Sequence, residues 1–153
     1  MFGTSQNSGV STYLARNVEL NDVTQDIAAE NLRLIASGAI LPNPAELLSS
    51  ERMKRMLDQL AERYDHIVID SPPLASVTDS VILSTMVDCV ILVVHGGRNS
   101  RHGVQRACYE LSAVGARIFG IVLNNVDLRR EGYDDYYYSY YHSYSGNGDG
   151  PKL

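Results

Sequence analysis

The sequence predicts an α/β domain in which a parallel sheet carries helices on both faces, followed by a tyrosine-rich tail. Three observations carry this. Short apolar runs at 66–70, 89–94 and 117–123 alternate with helical patterns, the ordering of crossover-linked parallel strands. The runs are almost continuous in Val, Ile and Leu, as strands buried on both faces are. After Val126 the composition changes completely, and no apolar period follows.

The chain opens on a polar, turn-like stretch at 1–9, without the strand that usually leads an α/β domain. Val10 to Asn17 reads as a short helix with Ser11 as its cap. Leu20 to Glu30 is weakly helical. Leu32 to Ala36 reads as a short strand ended by Gly38, and Pro42-Asn43-Pro44 then breaks the chain. Ser49 or Ser50 caps the clearest helix, Glu51 to Arg63. There Met53, Met56, Leu57 and Leu60 fall at i, i+3, i+4 and i+7, a single apolar stripe that marks core packing. Glu51 pairs with Arg55 at i,i+4.

The central stretch is His66-Ile67-Val68-Ile69-Asp70-Ser71-Pro72-Pro73. It reads as a buried strand stopped by two prolines, which fix φ and lack an N–H. Asp70 then stands at a strand's carboxyl end, where open α/β sheets place their ligand sites. A carboxylate there suits Mg²⁺, which is held through one or two carboxylates plus substrate phosphates. An ordinary loop aspartate is the alternative reading of these eight residues. Thr78 caps a helix from Asp79 to Thr85. Cys89 to Val94 is the next strand, buried on both faces, and Gly96-Gly97 end it. Ser100 caps a helix whose stripe is Val104, Ala107, Cys108 and Leu111. Arg117 to Leu123 is the last strand and delivers Asn124. Right-handed crossovers put Asp70, His95 and Asn124 on one edge of the sheet.

The 153 residues are 44% hydrophobic and 20% charged, ordinary for one globular domain with a real core. A net charge of −5 is not the footprint of a nucleic-acid binder. No apolar run approaches the ~20 residues of a membrane span. Cys89 and Cys108 read as reduced core residues of a cytoplasmic protein. The four histidines are scattered without ligand spacing, which argues against zinc.

Seven of the ten tyrosines lie in the tail: Tyr133, Tyr136, Tyr137, Tyr138, Tyr140, Tyr141 and Tyr144. Interleaved with Asp134 and Asp135 they are ill suited to phosphate backbones. They suit phosphorylation, since each phosphate adds about −1.5 to −2 charges. Seven would exceed the whole present net charge and drive neighbouring subunits apart. A merely sticky aromatic tail is the bland alternative.

Together these pieces resemble the bacterial tyrosine kinases (BY-kinases) of capsule and exopolysaccharide synthesis. The resemblance runs through Gly9-Val10-Ser11-Thr12-Tyr13-Leu14, Pro42-Asn43-Pro44-Ala45-Glu46-Leu47-Leu48, Ser50-Glu51-Arg52-Met53 and Tyr64 to Pro73. It continues through Val77-Thr78-Asp79, Val87-Asp88, Gly120 to Asn124 and the tyrosine tail. It implies a P-loop NTPase-like (MinD/ParA-like) fold and the cofactors ATP and Mg²⁺. Asp70 corresponds to the Walker B aspartate that organises Mg²⁺–ATP and lies close to where a tyrosine hydroxyl is activated. Asp79 corresponds to the acidic residue after that strand, and Asn124 to the asparagine that reads adenine. The tail tyrosines correspond to autophosphorylation sites presented to a neighbouring subunit in a ring. The resemblance further implies a membrane-embedded chain-length regulator of polysaccharide export, fused or separate, and a place at the cytoplasmic face of the membrane.

The departures are specific. No Gly-Lys-Ser or Gly-Lys-Thr occurs, so the family's phosphate loop, G-x-x-x-x-G-K-[ST], is absent, as is the second aspartate motif, Walker A′, that normally lies just upstream. The family's upstream oligomerisation helix is missing as well. Without a backbone nest and its lysine nothing cradles the β- and γ-phosphates. The phosphate-loop strand normally lies in the sheet beside the Asp70 strand, so its loss leaves backbone unpaired. The expectation is that residues 1–127 are the C-terminal portion of such a kinase domain, that 128–153 form a flexible tail, and that the chain alone does not transfer phosphate. The alternatives are a non-catalytic phospho-acceptor or scaffold, and a MinD/ParA-like ATPase, which the tyrosine tail disfavours.

Overall fold

The computed structural model describes residues 8–16 and 18–126. The expected tail, with its seven tyrosines from Tyr133 to Tyr144, lies outside the described residues. The elements in order are α1 (Val10–Ala15), α2 (Leu20–Val23), β1 (Thr24–Asp26), β2 (Arg33–Ile35), α3 (Pro44–Leu48), α4 (Glu51–Ala61), α5 (Asp79–Ser84), β3 (Val90–His95), α6 (Arg101–Ala113) and β4 (Ile118–Asn124).

The α4 stripe organises the core as its spacing predicts. Met53, Met56 and Leu60 are buried against Tyr13 and Leu14 of α1, Leu20 and Val23 of α2, and Leu83 of α5, with Leu57 at the margin. Two arginines, Arg52 within α4 and Arg63 just beyond its end, fasten this part of the chain to the preceding segment. The Arg52 guanidinium lies 5.0 Å above the Tyr13 ring and donates to the Arg16 carbonyl at 2.6 Å. Arg63 donates to Asn21 Oδ1 at 2.7 Å. Ser50 is the cap: its Oγ accepts from the Met53 N–H and donates to the Leu47 carbonyl at 2.6 Å. Ser50→Ala is therefore expected to cost about 1 kcal/mol, read as a lowered urea midpoint with an unchanged slope.

Several local expectations are corrected. Glu51 pairs with Lys54 at 2.6 Å rather than with Arg55, whose Nε instead reaches the Glu51 carbonyl. The hydrogen bond and charge of Lys54 hold the exposed Glu51 carboxyl below its ordinary range. The residue before α1 is Gly9, not Ser11, and Ser11 Oγ is buried without a hydrogen-bond partner. The helical reading of 20–30 stops after one turn. Thr24 closes it by donating its Oγ1 to the Leu20 carbonyl at 2.8 Å, and 24–26 then pairs antiparallel with β2. An ion pair between Asp26 and Arg33, 2.6 Å, joins those strands across their register. Pro44 starts α3 instead of only breaking the chain, because a proline at the first helical position loses no hydrogen bond. Thr78 makes no side-chain cap on α5.

The parallel sheet is β3 and β4, paired from Val90↔Ile118 to His95↔Asn124. Helix α6, capped by Ser100, which accepts from the Gly103 N–H at 3.1 Å, buries Leu111 completely. The stripe Val104, Ala107 and Cys108 is half-buried as predicted. The expectation of burial on both faces fails for β3: Ile91 is 55% and Val93 60% exposed. Cys89 is exposed and precedes the strand instead of lying in the core.

The largest correction falls on His66–Asp70. Among the described residues no strand pairs with it, and it is not a strand. Val68 is 91% exposed, and Ile69 alone of the run packs against the core. A strand is a relation between two backbones; an apolar run that finds no partner ladder stays irregular.

Candidate functional site

The site expected at the sheet's carboxyl edge is built where β3 and β4 end together. Their register places His95 opposite Asn124. The next residue, Gly96, donates its N–H to the Asn124 carbonyl at 2.7 Å. The approach is close, since a Cβ at 96 would lie 3.2 Å from the Asn125 carbonyl oxygen and 3.3 Å from that of Asn124, so a side chain there would need the neighbouring backbone to give by a few tenths of an ångström.

Around this crossing four polar side chains interlock. The His95 N–H donates to Asn99 Oδ1 at 2.6 Å. The His95 ring meets the Gly96 carbonyl through Nδ1 at 3.0 Å and Asn125 Nδ2 through Nε2 at 3.0 Å. Asn125 takes a left-handed conformation, φ 53°, which asparagine tolerates better than most residues. Its N–H donates to Asn124 Oδ1 at 2.8 Å. Asn124 is exposed, and its Nδ2 makes no hydrogen bond among the described residues. Sequence reading placed His95 and Asn124 on this edge but missed Asn99 and Asn125. Their only signal is the placement of asparagines just after two apolar strands, where Asn also serves as an ordinary turn residue.

Asp70 and Asp79 occupy a second corner. Asp70 is exposed at the end of the unpaired run. Asp79 is the first residue of α5 and half-buried. The two are linked through Ser80, whose buried Oγ donates to the Pro72 carbonyl at 2.6 Å and ties the Asp70–Pro73 loop to the start of α5. The structure therefore brings His95 with Asn124, and the Asp70 loop with Asp79, without the common strand edge expected for Asp70.

The residues fit the expected groups in part. Among the described residues no cluster of three or more His, Cys, Asp or Glu could enclose a metal ion. A lone exposed carboxylate such as Asp70 suits Mg²⁺ held largely by waters and phosphates. An open, mostly apolar groove of about 740 Å³ is lined by Val94, Ile121 and Leu123 of the sheet and by Arg101, Val104 and Cys108 of α6. No helix among the described residues is long and apolar enough to cross a membrane.

Comparison with known proteins gives this geometry a context. The family described as "AAA domain" matches residues 3–120. The tyrosine-protein kinase CpsD of Streptococcus agalactiae is 32% identical over 128 residues, covering 84% of this chain and 56% of that protein. The tyrosine-protein kinase etk of Escherichia coli K12 is 35% identical over 129 residues, 84% of this chain and 18% of that protein. Among solved structures, the kinase domain of the E. coli tyrosine kinase ETK superposes with a TM-score of 0.80 at 34% identity, covering 85% of this chain and 51% of that one. The VpsO kinase domain gives 0.77 at 35% identity, with 82% and 63% covered. The chain thus spans 56% of CpsD and about half of the ETK kinase domain. By the family match the chain belongs to the AAA-domain family, and the relatives it resembles across most of its length are bacterial tyrosine-protein kinases.

Proposed function

We propose that this chain is the C-terminal portion of an ATP-dependent protein-tyrosine kinase domain that regulates capsular or exopolysaccharide synthesis. The observation that carries the reading is a conjunction. Kinase-domain likeness covers most of the chain, yet the Asp70 run has no strand partner among the described residues and no Gly-Lys-Ser or Gly-Lys-Thr occurs in the sequence.

Each candidate residue then has a part. The Asp70 carboxylate would hold Mg²⁺, close to where an incoming tyrosine hydroxyl would be activated. Asp79, fixed to the same loop through Ser80 and Pro72, keeps that corner acidic. Asn124 would read the adenine base. When bound, Mg²⁺–ATP supplies the phosphoryl group and the charge neutralisation for its transfer. The acceptors are Tyr133, Tyr136, Tyr137, Tyr138, Tyr140, Tyr141 and Tyr144, reached in trans from a neighbouring subunit of a ring. The assembly works with a membrane-embedded chain-length regulator of polysaccharide export, fused or separate, at the cytoplasmic face of the membrane.

A polypeptide carrying a phosphate loop and the strand before it would complete this portion. Ile67, Val68, Ile91 and Val93, all exposed, are the apolar surface such a strand would cover. The test is phosphotransfer by the purified chain with Mg²⁺–ATP, alone and mixed with the part of the ETK kinase domain that this chain does not match. Labelling of the tail tyrosines only in the mixture is expected. Labelling by the chain alone would show that a phosphate loop is dispensable and end the reading. A second reading, a non-catalytic phospho-acceptor, rests on the same missing loop. It predicts labelling by the intact ETK kinase domain and none by the complemented halves.

A further inference from the structure

We propose that His95 is a positioning residue: its neutral ring latches Asn125 and thereby sets the Asn124 amide for an adenine-like base edge. The inference rests on the base-binding reading of Asn124 and adds the device that orients it.

The hydrogen-bond donors and acceptors define the latch. Asn125 Nδ2 only donates, so His95 Nε2, 3.0 Å away, accepts. The ring proton then sits on Nδ1, from which it is donated to the Gly96 carbonyl at 3.0 Å. Both ring nitrogens are used in one tautomer. Its own backbone is held from the other side by Asn99 Oδ1 at 2.6 Å.

The latch acts on Asn124 through one peptide. Asn125 holds a left-handed conformation that an asparagine adopts only at some cost. Its N–H occupies one lone pair of Asn124 Oδ1 at 2.8 Å, which fixes the plane of the Asn124 amide. The Gly96 N–H on the Asn124 carbonyl, 2.7 Å, fixes the backbone beneath it. What Asn124 presents outward is an amide with exposed Nδ2 donors and the second lone pair of Oδ1. That donor and acceptor pair matches N7 and N6 of adenine and mismatches guanine, which offers two acceptors, N7 and O6. Free rotation of the amide would blur this choice, so the latch is a selectivity device as well as a brace.

The test titrates Mg²⁺–ATP and Mg²⁺–GTP into the full chain, following the amide signals of Asn124 and Asn125 by NMR, with imidazole ¹⁵N shifts reporting the His95 tautomer. Wild type is expected to show neutral His95 with its proton on Nδ1 and to prefer ATP. His95→Ala and Asn125→Gly, the latter keeping the left-handed backbone, are expected to weaken ATP binding about 3- to 10-fold and to lower the ATP over GTP preference. His95→Gln, whose Oε1 accepts from Asn125 Nδ2, is expected to restore both. Unchanged urea midpoints separate these effects from unfolding. If wild type binds ATP and both latch variants bind it as tightly and as selectively, the latch is overturned while the base-binding reading stands. If His95→Gln is folded but fails to rescue, the latch is overturned too. If wild type binds neither nucleotide even when mixed with the part of the ETK kinase domain that this chain does not match, the base-binding reading falls and takes this inference with it.

Discussion

Gly9→Ala is expected to destabilise the helical core by about 3 to 5 kcal/mol, a large part of the roughly 5–15 kcal/mol that holds a domain of this kind together. A Cβ at position 9 would lie 2.0 Å from the Ala36 carbonyl oxygen and 2.7 Å from the Gly38 nitrogen. Both are backbone atoms and cannot step aside as the end of a flexible side chain would. The approach is this close because α1 begins by donating to the segment after β2. Val10 N–H reaches the Ala36 carbonyl at 2.8 Å and Ser11 N–H reaches that of Ser37 at 2.9 Å. Pushing the segments apart breaks both bonds and pulls on Tyr13 and Leu14, which are buried in the core. Gly115→Ala is the control. Gly115 has φ +76° but open space around its Cβ position, so only the backbone penalty of roughly 1–2 kcal/mol applies. Urea unfolding of both variants separates the effects. Equal losses would mean that the contact between Gly9 and Ala36 does not exist in solution.

Asp70→Asn, made in the chain complemented with the phosphate-loop portion, is expected to lower tail phosphorylation roughly 100- to 1,000-fold. Asparagine keeps the shape and removes the charge that Mg²⁺ requires. Stability should not change, because Asp70 is exposed and the loop is held to α5 by the Ser80 hydroxyl on the Pro72 carbonyl, not by the carboxylate. A variant that unfolds at the wild-type urea midpoint yet loses phosphotransfer therefore isolates the role of the charge. Retention of more than a tenth of the activity would remove Asp70 from the metal site and leave it a loop residue. Asp79→Asn, half-buried at the start of α5, serves as the comparison for loss of an acidic group at the same corner.

Local, one-dimensional information was legible before any coordinates. The α4 stripe of Met53, Met56 and Leu60, the Ser50 and Ser100 caps, α6, and the apolar strands leading to His95 and Asn124 depend on neighbours within a few residues, and the sequence contains those neighbours. The α/β class and the kinase likeness follow from such elements taken in order. The tertiary structure decided everything that needs a distant partner. The run His66–Asp70 has the composition of a buried strand, but a strand exists only where a second backbone completes its ladder, and among the described residues none does. For the same reason Ile91 and Val93 are exposed on a strand that reads as buried on both faces. Thr24 ends a weak helix because β2 offers 24–26 a pairing that residues 20–30 alone do not reveal. The contact between the His95 ring and Asn125 joins positions 30 residues apart. No local rule reaches that far, and only the parallel register of β3 and β4 brings those side chains within a hydrogen bond of each other.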